Sequence, residues 1–422
     1  MKSKCDIVTA IEFGTAKTTV LAARQEYGQS PQIIGYCSLP SAGMVVKGEI
    51  QDFDRAYKTL GKAIKIVENS CGRSLSESRA VTVLVTGCGI SSQLGVGTTK
   101  VRDEKIITEE EIQTAEEQAK VLNLAADREI VNTANAFSLV DDRRVANPLN
   151  QRGTKLETYT HIVHGISTRI SNFRDAVATF FDPEKILVLF SPLAADIGIL
   201  SEKERQDGVL LIDIGAGCTE YVVEYEGGIR SSGMLQVGFE HVANDISIAY
   251  GLHINSCRRL IDSGELEDAF ENGRETIRIC NQSGREIEIK VADLQTIVDA
   301  RLEEIFAVIN RRLKVDKIPN SLESGGVLTG GGAKLSRTAE AFEKVFALRC
   351  SVRNPEDVGG AVTAVKDPSF SAVWGAVKYS AGMMLAMENK PENWIDSVGA
   401  AINNFAEKLF GGIKKLFSAL KF

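Results

Sequence analysis

The chain has no C-x-x-C pair and no excess of basic residues, and it has no apolar run of about 18 residues, the length a membrane-spanning helix needs. Each absence removes a class of function. Without such a run, no helix is expected to span a bilayer. Eight cysteines scattered from Cys5 to Cys350 without close pairing argue against a zinc site or disulfide framework and fit a reducing cytoplasm. A net charge of -7 leaves no surplus cation to neutralise phosphates, so no nucleic-acid partner is expected. The apolar N-terminal stretch is broken by Asp6, Glu12 and Lys17 and does not read as a signal peptide. What is present, 422 residues with 44% hydrophobic and 25% charged side chains, is the make-up of a folded chain. At that length it should divide into about two to four domains.

The most informative stretch is VLLIDIGAGCTEYVVEY, residues 209–225. Four apolar residues lead into Asp213 and Gly215-Ala216-Gly217, and an apolar run resumes after Cys218, Thr219 and Glu220. That is strand, tight glycine turn, strand. Glycines there permit positive φ and remove the Cβ, so that successive backbone N–H groups can face one anion such as a phosphate. Asp213 is placed to hold a phosphate-bound magnesium, although the same pattern also makes plain hairpins. The plan occurs a second time, with apolar residues 7–11, Glu12, Gly14, Thr15, Lys17 and Thr18, then apolar residues 20–23. Two facing turns of this kind suit a polyphosphate held between two halves. A third glycine edge, Gly330-Gly331-Gly332, follows an apolar run and is expected to open a helix.

Elsewhere the periodicity predicts helices over 55–71, 172–181, 242–250, 257–261, 293–313 and 374–387, a strand over 80–86, another over 186–190, and a hairpin from 276–279 and 286–291. Between 84 and 163 the texture changes to a glycine-rich segment, an acidic helix from Thr108 with a capping-box pattern, and a loop over 147–153. This reads as an inserted small α/β domain.

In their order and spacing the three glycine turns resemble the phosphate-1, phosphate-2 and adenosine motifs of the actin, Hsp70 and sugar-kinase superfamily. Within it the chain resembles the FtsA family of bacterial cell division proteins. The residues that carry the likeness are Ile212 to Gly217, Val327 to Ala333, residues 200–205, the segment Asn147 to Glu157 and the helical C-terminal tail. The resemblance implies an α/β, actin-like (ribonuclease H-like) two-lobed fold. Its first lobe would be 1–83 with 164–200, the insert 84–163, and the second lobe 201–388 with a smaller subdomain at 240–320. A linker and membrane-targeting amphipathic helix would follow at 389–422. It implies ATP in the interdomain cleft, held by Gly14, Thr15, Lys17, Thr18, Asp213, Gly215, Gly217, Cys218, Thr219, Arg258, Gly330, Gly331 and Gly332, with Glu12 and Asp213 at Mg2+. It further implies actin-like filaments, tethering of FtsZ to the cytoplasmic membrane at the division site, and recruitment of other division proteins.

Against the family pattern, Glu12 stands where aspartate is usual and Ser191 where an acidic residue is common. Arg258 and Ile261 take the adenosine-helix Glu and Lys positions. These departures predict weak ATP binding with slow or absent hydrolysis, so the chain is not expected to act as an enzyme. In the tail, Phe405, Leu409, Phe410, Ile413, Leu416, Phe417 and Leu420 fall on one helical arc of about 140°, with Lys414, Lys415 and other polar residues opposite. A basic amphipathic helix suits an anionic membrane surface. Two alternatives remain open: a sugar or acetate kinase, for which no general base can be singled out, and an actin-like adaptor such as that of type IV pilus assembly.

Overall fold

The apolar stretches Asp6–Phe13 and Val209–Ile214 each become the first strand of a three-strand antiparallel meander, and each meander is the nucleus of a separate sheet. The computed structural model describes residues 6–26, 29–101, 105–281, 283–318, 322–360 and 365–388. In the first sheet Asp6–Phe13 pairs with Lys17–Gln25, which pairs with Gln32–Pro40; Ala80–Val85 and Ile186–Phe190 add in parallel on the other side. The second sheet repeats this order with Thr219–Tyr225 and Gly228–Leu235 on one flank, and Gly326–Thr329 and Cys350–Val352 on the other. The pairing Phe13 with Thr18 recurs as Ile214 with Thr219, and Glu12 with Thr19 recurs as Asp213 with Glu220. The central strands are almost wholly buried, which is why they read as continuous apolar runs rather than alternating ones.

Helices cover the sheets where the period predicts. Phe53–Cys71 buries Ala56, Leu60, Ala63, Ile64 and Val67, starts at an Asp52 carboxylate that accepts the Arg55 N–H at 3.0 Å, and stops at Gly72 with φ 66°. Val291–Val315 buries Leu294, Val298, Leu302, Ile305 and Ile309 against the second sheet's core. Two helices join the halves. Ser191–Ile199 leaves the first sheet, and Ser371–Glu388 returns to it and packs on Asp6–Phe13 and Ala80–Val85. They cross at two glycines: a Cβ on Gly375 would lie 1.7 Å from the Ala194 carbonyl oxygen, and one on Gly198 2.4 Å from that of Ser371. Because the obstacle is helix backbone, Gly375→Val is expected to cost about 3 kcal/mol or more and to lower the denaturation midpoint accordingly. An unchanged midpoint would show that the helices separate freely.

The insert is a four-stranded antiparallel sheet, ordered Ser91–Lys100, Lys155–Ile166, Arg128–Val140, Arg143–Val145, with the helix Glu109–Ala119 on one face. Its glycines have a packing reason, since a Cβ on Gly97 would stand 1.7 Å from the Ala115 carbonyl oxygen. The expected capping box forms, with the Glu111 carboxylate accepting the Thr108 N–H at 3.0 Å. The insert stays bonded to the first sheet, where Asn132 accepts the Phe190 N–H at 2.8 Å, and it also packs on the second. His161 Nε2 lies 2.8 Å from Ser232 Oγ, and Ser92 Oγ donates to the Ser232 carbonyl at 2.6 Å. This seam explains the strand Gly228–Leu235, which sequence periodicity does not reveal: Arg230, Ser231 and Ser232 look solvent-facing but are covered, Ser232 by the insert.

Among the described residues no helix is long and apolar enough to cross a membrane. The C-terminal amphipathic segment lies outside the described residues.

Candidate functional site

The two meander turns have the same internal bond. Gly14 N–H donates to the Lys17 carbonyl at 3.0 Å, and Gly215 N–H to that of Cys218 at 2.9 Å. Contrary to the expectation from glycine alone, Gly14, Gly215 and Gly217 do not adopt positive φ. What they need is the missing Cβ. One on Gly14 would meet the Lys17 carbonyl oxygen at 2.8 Å, and one on Gly217 would stand 2.2 Å from Thr15 Oγ1, so the two turns meet at the floor of the cleft. Gly330 does take φ 85°, and its Cβ would fall 2.2 Å from the Asp213 carboxylate. Gly331–Lys334 is a single 3-10 turn, and the α-helix starts only at Ser336, so the third glycine edge does not open directly into a helix. The second turn therefore meets the first at Thr15 and the third at Asp213.

Asp213 and Glu12 sit deep in the cleft with some solvent access, while Glu220, paired across the strand from Asp213, is buried. Burial and the neighbouring Glu12 push the Asp213 carboxyl up to about 7, with Lys17 opposing. Burial and Asp213 push Glu220 up to about 8, against hydrogen bonds from Thr86 and Ser191. Glu12 is likewise raised by burial, and burial lowers the Lys17 ammonium although Glu12 and Asp213 favour its charge. Three carboxyls thus share one nearby ammonium, a donor set short of positive charge that suits a divalent cation with a phosphate. Glu12 and Asp213 are the groups that would hold such a cation. Among the described residues no group of three or more His, Cys, Asp or Glu side chains is arranged to hold a metal ion.

The remaining candidates are placed variously. Lys17 Nζ donates to Ser369 Oγ at 2.8 Å and lies 4.0 Å from the centroid of the Phe370 ring. Thr18 and Thr219 are buried, their hydroxyls engaged by Ser41 at 3.2 Å and the Val237 carbonyl at 2.8 Å. Cys218 is buried beside Gly48. Arg258 binds Glu240 through two nitrogens, at 2.8 and 2.6 Å, and Ile261 packs on the second-lobe core. Glu240, in turn, donates its N–H to the Ala216 carbonyl at 2.8 Å, so Arg258 is linked to the second turn through one residue. Sequence reasoning passed over Glu220 and Thr86. Glu220 carried a signal, a carboxylate in an apolar strand directly across from Asp213; Thr86 carried none.

The family model for cell division protein FtsA matches residues 210–375, and that for the SHS2 domain inserted in FtsA matches 87–164, together more than half the chain. The chain belongs to the FtsA family. Curated relatives include cell division protein FtsA of Neisseria meningitidis, 27% identical with 93% of this chain and 94% of that one covered. FtsA of Escherichia coli K12 is 23% identical over 97% and 98%. Among solved structures, the PilM–PilN type IV pilus biogenesis complex superposes with a TM-score of 0.59 at 14% identity over 89% of this chain and 98% of that one. MreB5 of Spiroplasma citri bound to ADP superposes with a TM-score of 0.51 at 15% identity over 91% and 99%. At such identities these structures speak to the fold alone, which is actin-like. FtsA membership makes this a cell division protein with partners in the division machinery.

Proposed function

We propose that this chain is an actin-like division adaptor: it binds ATP between its lobes, polymerises, and anchors FtsZ filaments to the cytoplasmic face of the membrane while recruiting later division proteins. The observation that carries the reading is the meeting of three glycine turns around Thr15 and Asp213 in a chain of the FtsA family. Turnover is slow or absent in this reading, well below the usual enzymatic range of about 1 to 1000 per second. Glu12 is one methylene longer than aspartate at a cation that demands regular octahedral geometry. Ser191 brings a hydroxyl where a carboxylate would polarise water. Self-association is head-to-tail through the insert and adjacent lobe surfaces, an open heterologous contact that gives filaments. The resemblance to the pilus complex is a likeness of fold and supports neither that pathway nor a particular role.

Anchoring falls to 404–422. Each of the seven large apolar side chains contributes up to about 1.5 to 3 kcal/mol when fully buried, less at interfacial depth. Each lysine adds roughly 1 kcal/mol near anionic lipid. Against this stands about 1 to 2 kcal/mol per residue for ordering the backbone, partly recovered as interfacial hydrogen bonds form. The balance is reversible binding, strengthened when a filament presents many tails. The test is co-sedimentation of FtsZ with vesicles rich in anionic lipid. FtsZ should pellet when the full chain is added and stay in solution with a chain ending at Asn403. Phe410→Glu should release the protein at any salt, whereas Lys414→Ser with Lys415→Ser should weaken binding mainly at low ionic strength. Equal pelleting with and without the tail would refute the anchor.

A further inference from the structure

The hairpin formed by Val45–Val46 and Glu49–Ile50 has no place in the three-turn arrangement, yet its tip enters the cleft. Lys47 and Gly48 both take left-handed backbone, φ 51° and 73°. A β-hairpin with a two-residue loop of this hand presents its tip tightly, and only glycine fits the second position: a Cβ on Gly48 would lie 2.5 Å from Thr86 Cγ2 and 3.2 Å from Cys218 Sγ. Gly48 N–H donates to Thr15 Oγ1 at 3.4 Å. The tip thus touches the first turn through Thr15, the second through Cys218, and the Glu220 support through Thr86. Beyond it, Glu49 spans the lobes, accepting from Arg169 at 2.6 Å and from Gln236 at 3.4 Å.

Lys47 itself is exposed and has neither ion pair nor hydrogen bond among the described residues. Four other cations near the cleft are engaged. Lys17 is bonded to Ser369 and shared among the acids, Lys334 pairs with Asp367, Arg169 with Glu49, and Arg258 with Glu240. The tip also crosses Gly87, where a Cβ would meet the Gly48 and Lys47 carbonyl oxygens at 2.7 and 2.8 Å, so the backbone that carries Lys47 is held close beside Thr86 and the second turn. A magnesium-bound triphosphate still carries net negative charge, and the floor beneath it is acidic. A further cation at the mouth is what that arrangement lacks.

We propose that the Lys47–Gly48 tip is a fourth phosphate-contacting element, in which Lys47 binds the terminal phosphate of a nucleoside triphosphate and so distinguishes tri- from diphosphate. This rests on the cleft being a nucleotide site. The test measures ATP and ADP affinity, with magnesium, for the full chain and for Lys47→Ala and Lys47→Arg. An exposed lysine without partners can be replaced without disturbing the fold, which matching thermal transitions without nucleotide would verify. Lys47→Ala should lose about tenfold or more in ATP affinity, the scale of one charge-assisted phosphate bond, with ADP affinity within about twofold of wild type. Lys47→Arg should retain most of the ATP affinity. Equal losses for both nucleotides, or none for either, would overturn the proposal while leaving the cleft intact as a nucleotide site. A wild-type chain that binds neither nucleotide would overturn the cleft reading and this one with it.

Discussion

Asp213→Ala is expected to reduce affinity for magnesium and ATP by about 100-fold or more, because loss even of an outer partner of a metal ligand costs about 10- to 100-fold. The Asp213 carboxylate lies against Gly330 of the third glycine turn, stands at the mouth of the second, and shares the acidic cluster with Glu12. Glu12→Asp is expected to act in the opposite direction. It withdraws a carboxylate by one methylene, leaves room for the cation's own waters, and should raise both affinity and residual turnover. Titration calorimetry with ATP and magnesium, together with phosphate release over hours, measures both variants. If neither differs from wild type, the converging turns serve only to hold the lobes together.

How far the residues announce this arrangement depends on what fixes each element. The strand–turn–strand repeats were legible because both are continuous apolar runs interrupted by an acid and glycines, and the structure superimposes their registers position for position. The reason for the glycines was only half legible. Composition suggests conformational freedom, but at Gly14 and Gly217 the requirement is steric, set by Lys17 and by Thr15 of the opposite turn. A contact across some 200 residues leaves no local trace. The same limit hid the strand Gly228–Leu235, whose serines are covered by the insert, and the short helix Glu265–Glu271, whose seven residues hold too few turns to show a period. It also hid Lys47, because a Val-Lys-Gly-Glu hairpin reads the same whether its tip meets solvent or a cleft.

The insert bears on how the cleft works. An inserted domain that packed only on its parent lobe would place no restraint on opening of the cleft. Here it also grips the edge strand of the second lobe, through His161, Ser92 and the approach of Gly228 to the Ala136 carbonyl. Hinge opening must therefore either shear this seam or carry the insert along. Burial pushes the His161 imidazole down to about 4, so the seam is built around a neutral ring. Its contribution to stability is complete above pH 6.5, the ordinary histidine range, and is lost as pH falls toward 4.

The acidic cluster titrates in the other direction, and Glu220→Gln isolates it. In the folded chain Glu220 keeps its proton to about pH 8, against 4.5 when unfolded. A raised carboxyl stabilises fully below the unfolded value, and that stability is lost as pH rises through the folded one. Between about pH 6.5, above which His161 adds no further change, and about pH 9, the loss covers about 1.5 pH units, or about 2 kcal/mol at about 1.36 kcal/mol per unit. The amide of the variant keeps the shape of the carboxyl and can still meet the Thr86 hydroxyl, but it has no proton to give up. Lys378, pushed down to about 8 by burial, works oppositely above that pH, and Asp213, pushed up to about 7, loses its proton in the same range; both are present in both proteins, so the comparison reads the part that depends on Glu220, including its repulsion with Asp213. Wild type minus Glu220→Gln stability, from urea midpoints at about pH 6.5 and 9 without magnesium, should fall by about 2 kcal/mol. Magnesium with ATP should shrink that fall, since a cation bound at Asp213 favours the ionised carboxyls that protons otherwise neutralise. A difference that stays flat with pH would mean that Glu220 is ionised throughout, and that the cluster already has the countercharge a bound cation would bring.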